Sequence, residues 1–352
     1  MQLYETLTGK EVDVSETTHA NYASNYLFAV WGAKTLVKNE KDLPLMHMVL
    51  NNFIFTVIAV ACVWYSQSHV LGLAYLLAAY LIFFGRYMCL NHEYAHIQLF
   101  KNKRLGDIVS IFVIGHSYGL PVGSYYIQHI IMHHKGSNVW GVDFSSTEKY
   151  NRESIMHFMH YWLRRYSPVG FVFDAVRVCA KHNKYELAIM YGSCAICWFY
   201  LAIHIVAFTR YWKAGLWTML LPILCTSLFG AIGGWMQHFF LNPQKPRKWF
   251  SYDLINSHAN SNGFNQGFHN VHHTLGNLHW TELPSGFMTL LRDYDKDNVM
   301  IMQGVDNVQV VLLIFAKQYK VLARHLVTTK PGGHSMDHCV QYIRSHLKPV
   351  TI

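Results

Sequence analysis

Three short runs of this sequence concentrate imidazoles. His92 and His96 stand in HEYAH, His129, His133 and His134 in HIIMHH, and His269, His272 and His273 in HNVHH. On a helix, positions three and four apart share a face, so each run is expected to aim two or three ring nitrogens at one point. Neutral imidazole is the commonest metal ligand and suits iron, zinc and copper. Among 352 residues with 23 histidines, H-x-x-H-H and H-x-x-x-H-H are each expected only about 0.1 times by chance. A ninth candidate is His238 in GGWMQHFF, at the end of an apolar stretch. Eight or nine imidazoles exceed what one ion of coordination number four to six takes. They suit two ions, each with open positions for an exogenous ligand. The Glu and E-x-x-H pairs of carboxylate di-iron bundles are missing, so the predicted centre is histidine-rich.

The elements that must position these residues are membrane helices. The chain is 52% hydrophobic and 14% charged, against about 25% charged for a soluble domain. Four stretches, roughly 45–66, 69–90, 187–208 and 216–240, are long and apolar enough to cross a bilayer. The short links SQS and TRYWKAG pair them into two helical hairpins, which puts all three histidine runs on one side. That side is expected to be cytoplasmic, because the 91–186 segment alone carries eleven Lys and Arg while the two links together carry two. The net charge of +9 is therefore read as the bias of a membrane protein. No run of five or six basic residues suggests nucleic acid.

The predicted fold is all-α and polytopic, with a cytoplasmic helical cap carrying the histidines. Residues 1–44 form an N-terminal segment without signal-peptide character, 45–285 the catalytic domain and 286–352 a C-terminal segment packing on the cap. The stretch 105–123, broken by Gly, His and Pro, is expected to be interfacial or re-entrant. The stretches 158–178 and 308–327 are each expected as a helix lying in the interface. The seven cysteines form no disulfide framework, and the lone Cys194-x-x-Cys197 pair reads as core.

At this point the sequence resembles the membrane fatty acid desaturase superfamily, the histidine-box enzymes. Its three boxes, H-x(3,4)-H, H-x(2,3)-H-H and [HQ]-x-x-H-H, stand here in order as HEYAH, HIIMHH and HNVHH. The resemblance runs from about residue 45 to 285. It implies two iron ions held by His92, His96, His129, His133, His134, His269, His272 and His273. His238 matches an extra histidine that relatives place at the end of the last span. Asn265 matches a polar residue that helps a metal-bound water, and Glu93 is read as a residue supporting the ligands. No catalytic residue is implied beyond the metal centre.

The implied chemistry takes two electrons and O2 and removes hydrogen from an unactivated C–H of a long acyl or lipid-linked chain. Losing a second hydrogen gives a double bond, whereas oxygen rebound gives an alcohol, so a hydroxylase of the same superfamily is the nearest alternative. Some relatives fuse a haem-b carrier marked H-P-G-G; here KPGGH at 330–334 has Lys330 at the ligand position and reads as a turn. Electrons are then expected from a separate haem-b or iron–sulfur protein. The membrane is expected to be the endoplasmic reticulum in a eukaryote and the inner membrane in a bacterium.

HEYAH is also a literal H-E-x-x-H, the zinc metalloprotease signature with Glu93 as general base. That reading leaves at least five clustered histidines unexplained. A histidine-rich metal transporter would need polar groups along the spans, which are nearly free of ionisable groups until their cytoplasmic ends.

Overall fold

The computed structural model describes residues 4–6, 11–12, 31, 34–114, 118–119, 124–165, 167–261, 263–328 and 334–350. Among the described residues, four helices are long and apolar enough to cross a membrane: Glu40–Ser66, His69–His96, Tyr185–Phe208 and Trp212–Gln237. The second runs six residues beyond the expected end at 90, so the first histidine box rides on a spanning helix. The fourth stops at Gln237, one residue before His238. The protein is mainly helical, with two small sheets among the described residues, and is an all-α polytopic membrane protein. The chain divides into two compact units, one of Tyr22–Met132 with Arg164–Gly230, the other of Met1–Asn21, His133–Leu163 and Ala231–Ile352.

The first unit holds the helical hairpins. Pro44 sits in the first turn of the Leu43–Ser66 helix, where its missing N–H costs nothing. Gln67, at a left-handed φ of 49°, ends that helix and returns its N–H to Val63 O. Ser68 then caps the His69–Ala78 helix through the N–H of Leu71, making the link a tight two-residue turn. Several polar groups inside the spans are paired, as an apolar solvent favours. The Tyr80 hydroxyl donates to Pro222 O at 2.6 Å, and Thr226 donates to Tyr118 O at 2.6 Å. Trp64 Nε1 donates to Thr218 at 3.0 Å. The outer faces are bare hydrocarbon: Val70 is 76% exposed, Leu81 73% and Ile196 68%. Such a surface belongs in lipid.

The second unit carries the third box. The strand Asp253–Ile255 pairs in parallel with Ile301–Gln303. Beside them Trp249, Phe268, Val271, Phe287 and Tyr294 form a buried core. Gly267 is required here, because an added Cβ would lie 2.3 Å from Asn260 Oδ1 and 3.1 Å from Leu254 O. Asn260 in turn donates to Leu254 O at 2.7 Å. Residues 4–6 and 11–12 pair as strands, and the first also pairs with Val327–Thr328.

Two expected helices are broken. The 158–178 stretch is two helices, Ile155–Arg165 and Pro168–Lys181. Ser167 caps the second through the N–H of Gly170 and Pro168 opens it. A residue preceding proline is pushed out of helical conformation. The 308–327 stretch becomes Asn307–Phe315 and Tyr319–Ala323, separated at Lys317, whose φ is 58°. Of the 105–123 stretch, Lys103–Val109 is helical and Ser110–Ile114 a π-turn, while 115–117 and 120–123 lie outside the described residues, as does most of the 330–334 turn.

Gly72 faces Trp217 across the bundle, with the ring 2.2 Å from where a Cβ would sit, and Trp217 is held by a 3.0 Å bond from Nε1 to His69 Nδ1. Gly72→Leu should therefore lower the thermal midpoint of the purified protein by about 3 °C or more, from an overpacking cost of about 1–3 kcal/mol. An unchanged midpoint would show that the ring moves aside freely.

Candidate metal centre

The structure does not keep each box together as one ligand set. It deals the nine histidines into a tetrad, a triad and a pair. The tetrad is His133, His238, His269 and His273, all in the second unit. Their Nε2 atoms form a closed ring, with His133–His238 at 3.0 Å, His238–His269 at 3.3 Å, His269–His273 at 3.2 Å and His273–His133 at 3.2 Å. A ring with such edges, flat or folded toward a tetrahedron, has a centre about 2.0–2.3 Å from every nitrogen, close to a metal–imidazole bond.

His269 and His273 are four apart on the helix His269–Thr274 and so share a face. His272, three along, is turned away and lies 3.0 Å from His134 Nε2. The triad is His92, His96 and His129 in the first unit. His92 and His96 share one face of the Phe84–His96 helix, and His96 Nε2 is 2.9 Å from His129 Nε2. The second box is thus divided. His129 joins the triad, His133 the tetrad and His134 the pair, a correction to the single point each box was expected to serve.

The outward ring nitrogens decide what the inward ones can do. His133 Nδ1 donates to Asp143 Oδ2 at 2.6 Å. His238 Nδ1 donates to Phe250 O at 2.8 Å. In the neutral form that a metal binds, an imidazole has one N–H, and with Nδ1–H committed outward each of these rings presents its Nε2 as a bare lone pair. These two lone pairs face each other 3.0 Å apart. Two acceptors at that distance repel unless a cation stands between them. Burial first, and then neighbouring His133, pushes His238 down to about 3, and burial with four surrounding histidines holds His273 well below its usual value. Near neutral pH both rings are uncharged, the form a metal binds. The donor set, its protonation and its spacing therefore fit a resident ion.

Asp143 was missed by the sequence reading. It is fully buried and accepts from Ser145 N and Ser145 Oγ, both at 2.8 Å, as well as from His133. Burial pushes its carboxyl up, but the adjacent His133 and the Ser145 bonds outweigh that and hold it below the usual range. A carboxylate on a ligand's outer nitrogen fixes its tautomer and raises its basicity. The loop reaches this place because Gly136 has no side chain. A Cβ there would lie 2.7 Å from Asp143 Cβ. Ser137 and Asn138 also take left-handed φ values.

Three further supports emerge. Glu93 accepts from His92 Nδ1 at 2.9 Å and is buried with it. Asp253, pushed up to about 7 by burial, accepts from the N–H of Asn270 at 2.8 Å and from the Tyr294 hydroxyl, pinning the start of the third-box helix. Arg152, fully buried, donates to the carbonyls of Phe239, Thr147, Tyr150, His346 and Lys348, and Thr147 donates to His238 O at 3.0 Å. Asn265 is buried at a φ of 58° and donates to Trp280 O at 3.0 Å. Its Oδ1 has no partner among the described residues, and a water would satisfy it.

The family model for fatty acid desaturases matches residues 39–304, most of the chain. The chain belongs to the fatty acid desaturase family. No curated protein and no solved structure matches it. The matched region ends before His346 and Lys348, whose carbonyls hold Arg152.

Asp143→Ala should weaken metal retention at the tetrad by about 10–100-fold, read by chelator competition on purified protein, while Asp143→Asn, which keeps an acceptor oxygen, should lose less. Equal retention in wild type and Asp143→Ala would remove Asp143 from the metal site.

Proposed function

We propose that the protein is an O2-dependent desaturase of long acyl or lipid-linked chains, working with two iron ions. The tetrad holds one, the triad the other, and His134 and His272 serve as further ligands. The observation that carries this reading is the closed ring of four Nε2 atoms with edges of 3.0–3.3 Å and no carboxylate among its members, in which His133 and His238 commit Nδ1 outward to Asp143 and to the Phe250 carbonyl. Iron bound there supplies the one-electron chemistry that activates O2 toward an unactivated C–H.

The chain's own residues do the rest. Asp143, Glu93 and the Phe250 carbonyl keep Nδ1–H outward and Nε2 free for the metal. Phe250, whose ring centroid lies 4.8 Å from that of His273, and the buried core around Phe268 and Val271 exclude water. The balance is complete when two hydrogens from adjacent carbons join two electrons and two protons from a donor, reducing O2 to two waters and leaving one double bond. The electrons come from a separate haem-b or iron–sulfur protein. We place the histidine boxes on the cytoplasmic side, supported by the eleven basic residues of the 91–186 segment. Glu93 bears on the metalloprotease alternative. A general base must face the water on the metal, but this carboxylate is bonded to the outward nitrogen of His92.

The test is turnover of purified protein in lipid with an acyl substrate, O2 and a reducing system, with products read by mass spectrometry. A product short of two hydrogens is expected, and His273→Ala should abolish it. A product carrying one added oxygen would make the protein the hydroxylase, and turnover that survives His273→Ala would remove the tetrad from the chemistry.

A further inference from the structure

Arg86 is an anomaly that the metal centre does not use. It lies in the His69–His96 span, six residues before His92, and a guanidinium at membrane depth is costly unless it has work to do. It is exposed and makes no ion pair or hydrogen bond to any other described residue. It lines a partly enclosed recess between the two helices of one hairpin. Met48, Asn51 and Asn52 come from the Leu43–Ser66 helix, and Phe83, Arg86 and Leu90 from the helix that carries the first box.

Asn52 supplies an independent observation. It is 95% buried, its Oδ1 accepts from the Tyr118 hydroxyl at 2.8 Å, and its Nδ2 has no partner among the described residues. A buried amide N–H without an acceptor is expensive, and it sits on the same recess as the unpaired guanidinium. Both groups only donate at these atoms. What satisfies them must present oxygen acceptors and negative charge. The remaining walls, Met48, Phe83 and Leu90, suit hydrocarbon.

We propose that this recess is a subsite for the anionic oxygen head of an acyl lipid, bound by Arg86 and by Asn52 Nδ2, with the alkyl chain against Met48, Phe83 and Leu90. A carboxylate and a phosphate share this chemistry. Arg86 is about 9 Å of helix rise from His92, so an anchored head holds one end of the lipid near the first box. That consequence rests on the desaturase reading; the binding itself does not.

The experiment measures binding rather than turnover, on the full chain in detergent, by native mass spectrometry. The probes are oleate, phosphatidylglycerol with oleoyl chains, and oleyl alcohol as the uncharged control. An anionic probe should be favoured over the alcohol by about tenfold or more, as one charge-assisted contact warrants. Preference for oleate assigns a carboxylate, and preference for phosphatidylglycerol a phosphate. Arg86→Gln should erase the preference, Arg86→Lys should keep part of it, and Asn52→Leu should weaken it, with iron content unchanged in each. No preference in wild type, or one that survives Arg86→Gln, overturns the proposal. Should Arg86→Gln fail to fold, a full preference in Asn52→Leu overturns it as well. None of these readings depends on whether the protein desaturates anything.

Discussion

The outward nitrogens of His133 and His238 are both committed, one to a buried carboxylate and one to a backbone carbonyl, and this leaves two lone pairs opposed at 3.0 Å. Much of the second unit serves to hold that unfavourable arrangement in place. In the uncharged form that binds a metal, each imidazole has already spent its N–H on the outer partner. A cation relieves it directly. The four-membered Nε2 ring is thus better described as a preorganised ligand set than as a hydrogen-bonded histidine cluster, and buried polar networks of this kind are stable only when every member is satisfied.

Holding four rings to such a geometry needs backbone fixed from several sides. Asp253 reaches from its strand to the first N–H groups of the third-box helix. Arg152 gathers carbonyls from the loop after the second box, from the residue after His238 and from the C-terminal helix end. Burial pushes it down to about 9, against the nearby Glu148 carboxylate, and it still carries its charge near neutral pH, among the carbonyls it donates to. Residues 346–348, outside the region that matches the family, therefore belong physically to the support of His238. Leu241 N donates to His346 O at 3.1 Å and Arg152 N to Leu347 O at 2.9 Å, closing the same knot.

Much of this was legible from the sequence because it rests on short-range rules. Apolar length alone placed the four spans, and spacing of four brought His269 with His273 and His92 with His96. The supports were not legible. Asp143 reaches His133 through a loop whose path depends on Gly136 and two left-handed residues, and nothing in the intervening positions marks it. The partition of the second box depends on what stands opposite each ring, which spacing does not encode. The Ser167–Pro168 break carried a readable signal, a capping serine before a proline, that the apolar pattern of 158–178 masked. The break at Lys317 carried none.

The most direct measurement is the metal content of the detergent-purified protein by mass spectrometry, wild type beside His238→Ala. Two opposed lone pairs stabilised by a resident ion predict about two irons per chain in wild type and about one in the variant, because removing His238 opens the tetrad and leaves the triad intact. A chain that holds one zinc, or whose iron is unchanged in His238→Ala, would contradict the account.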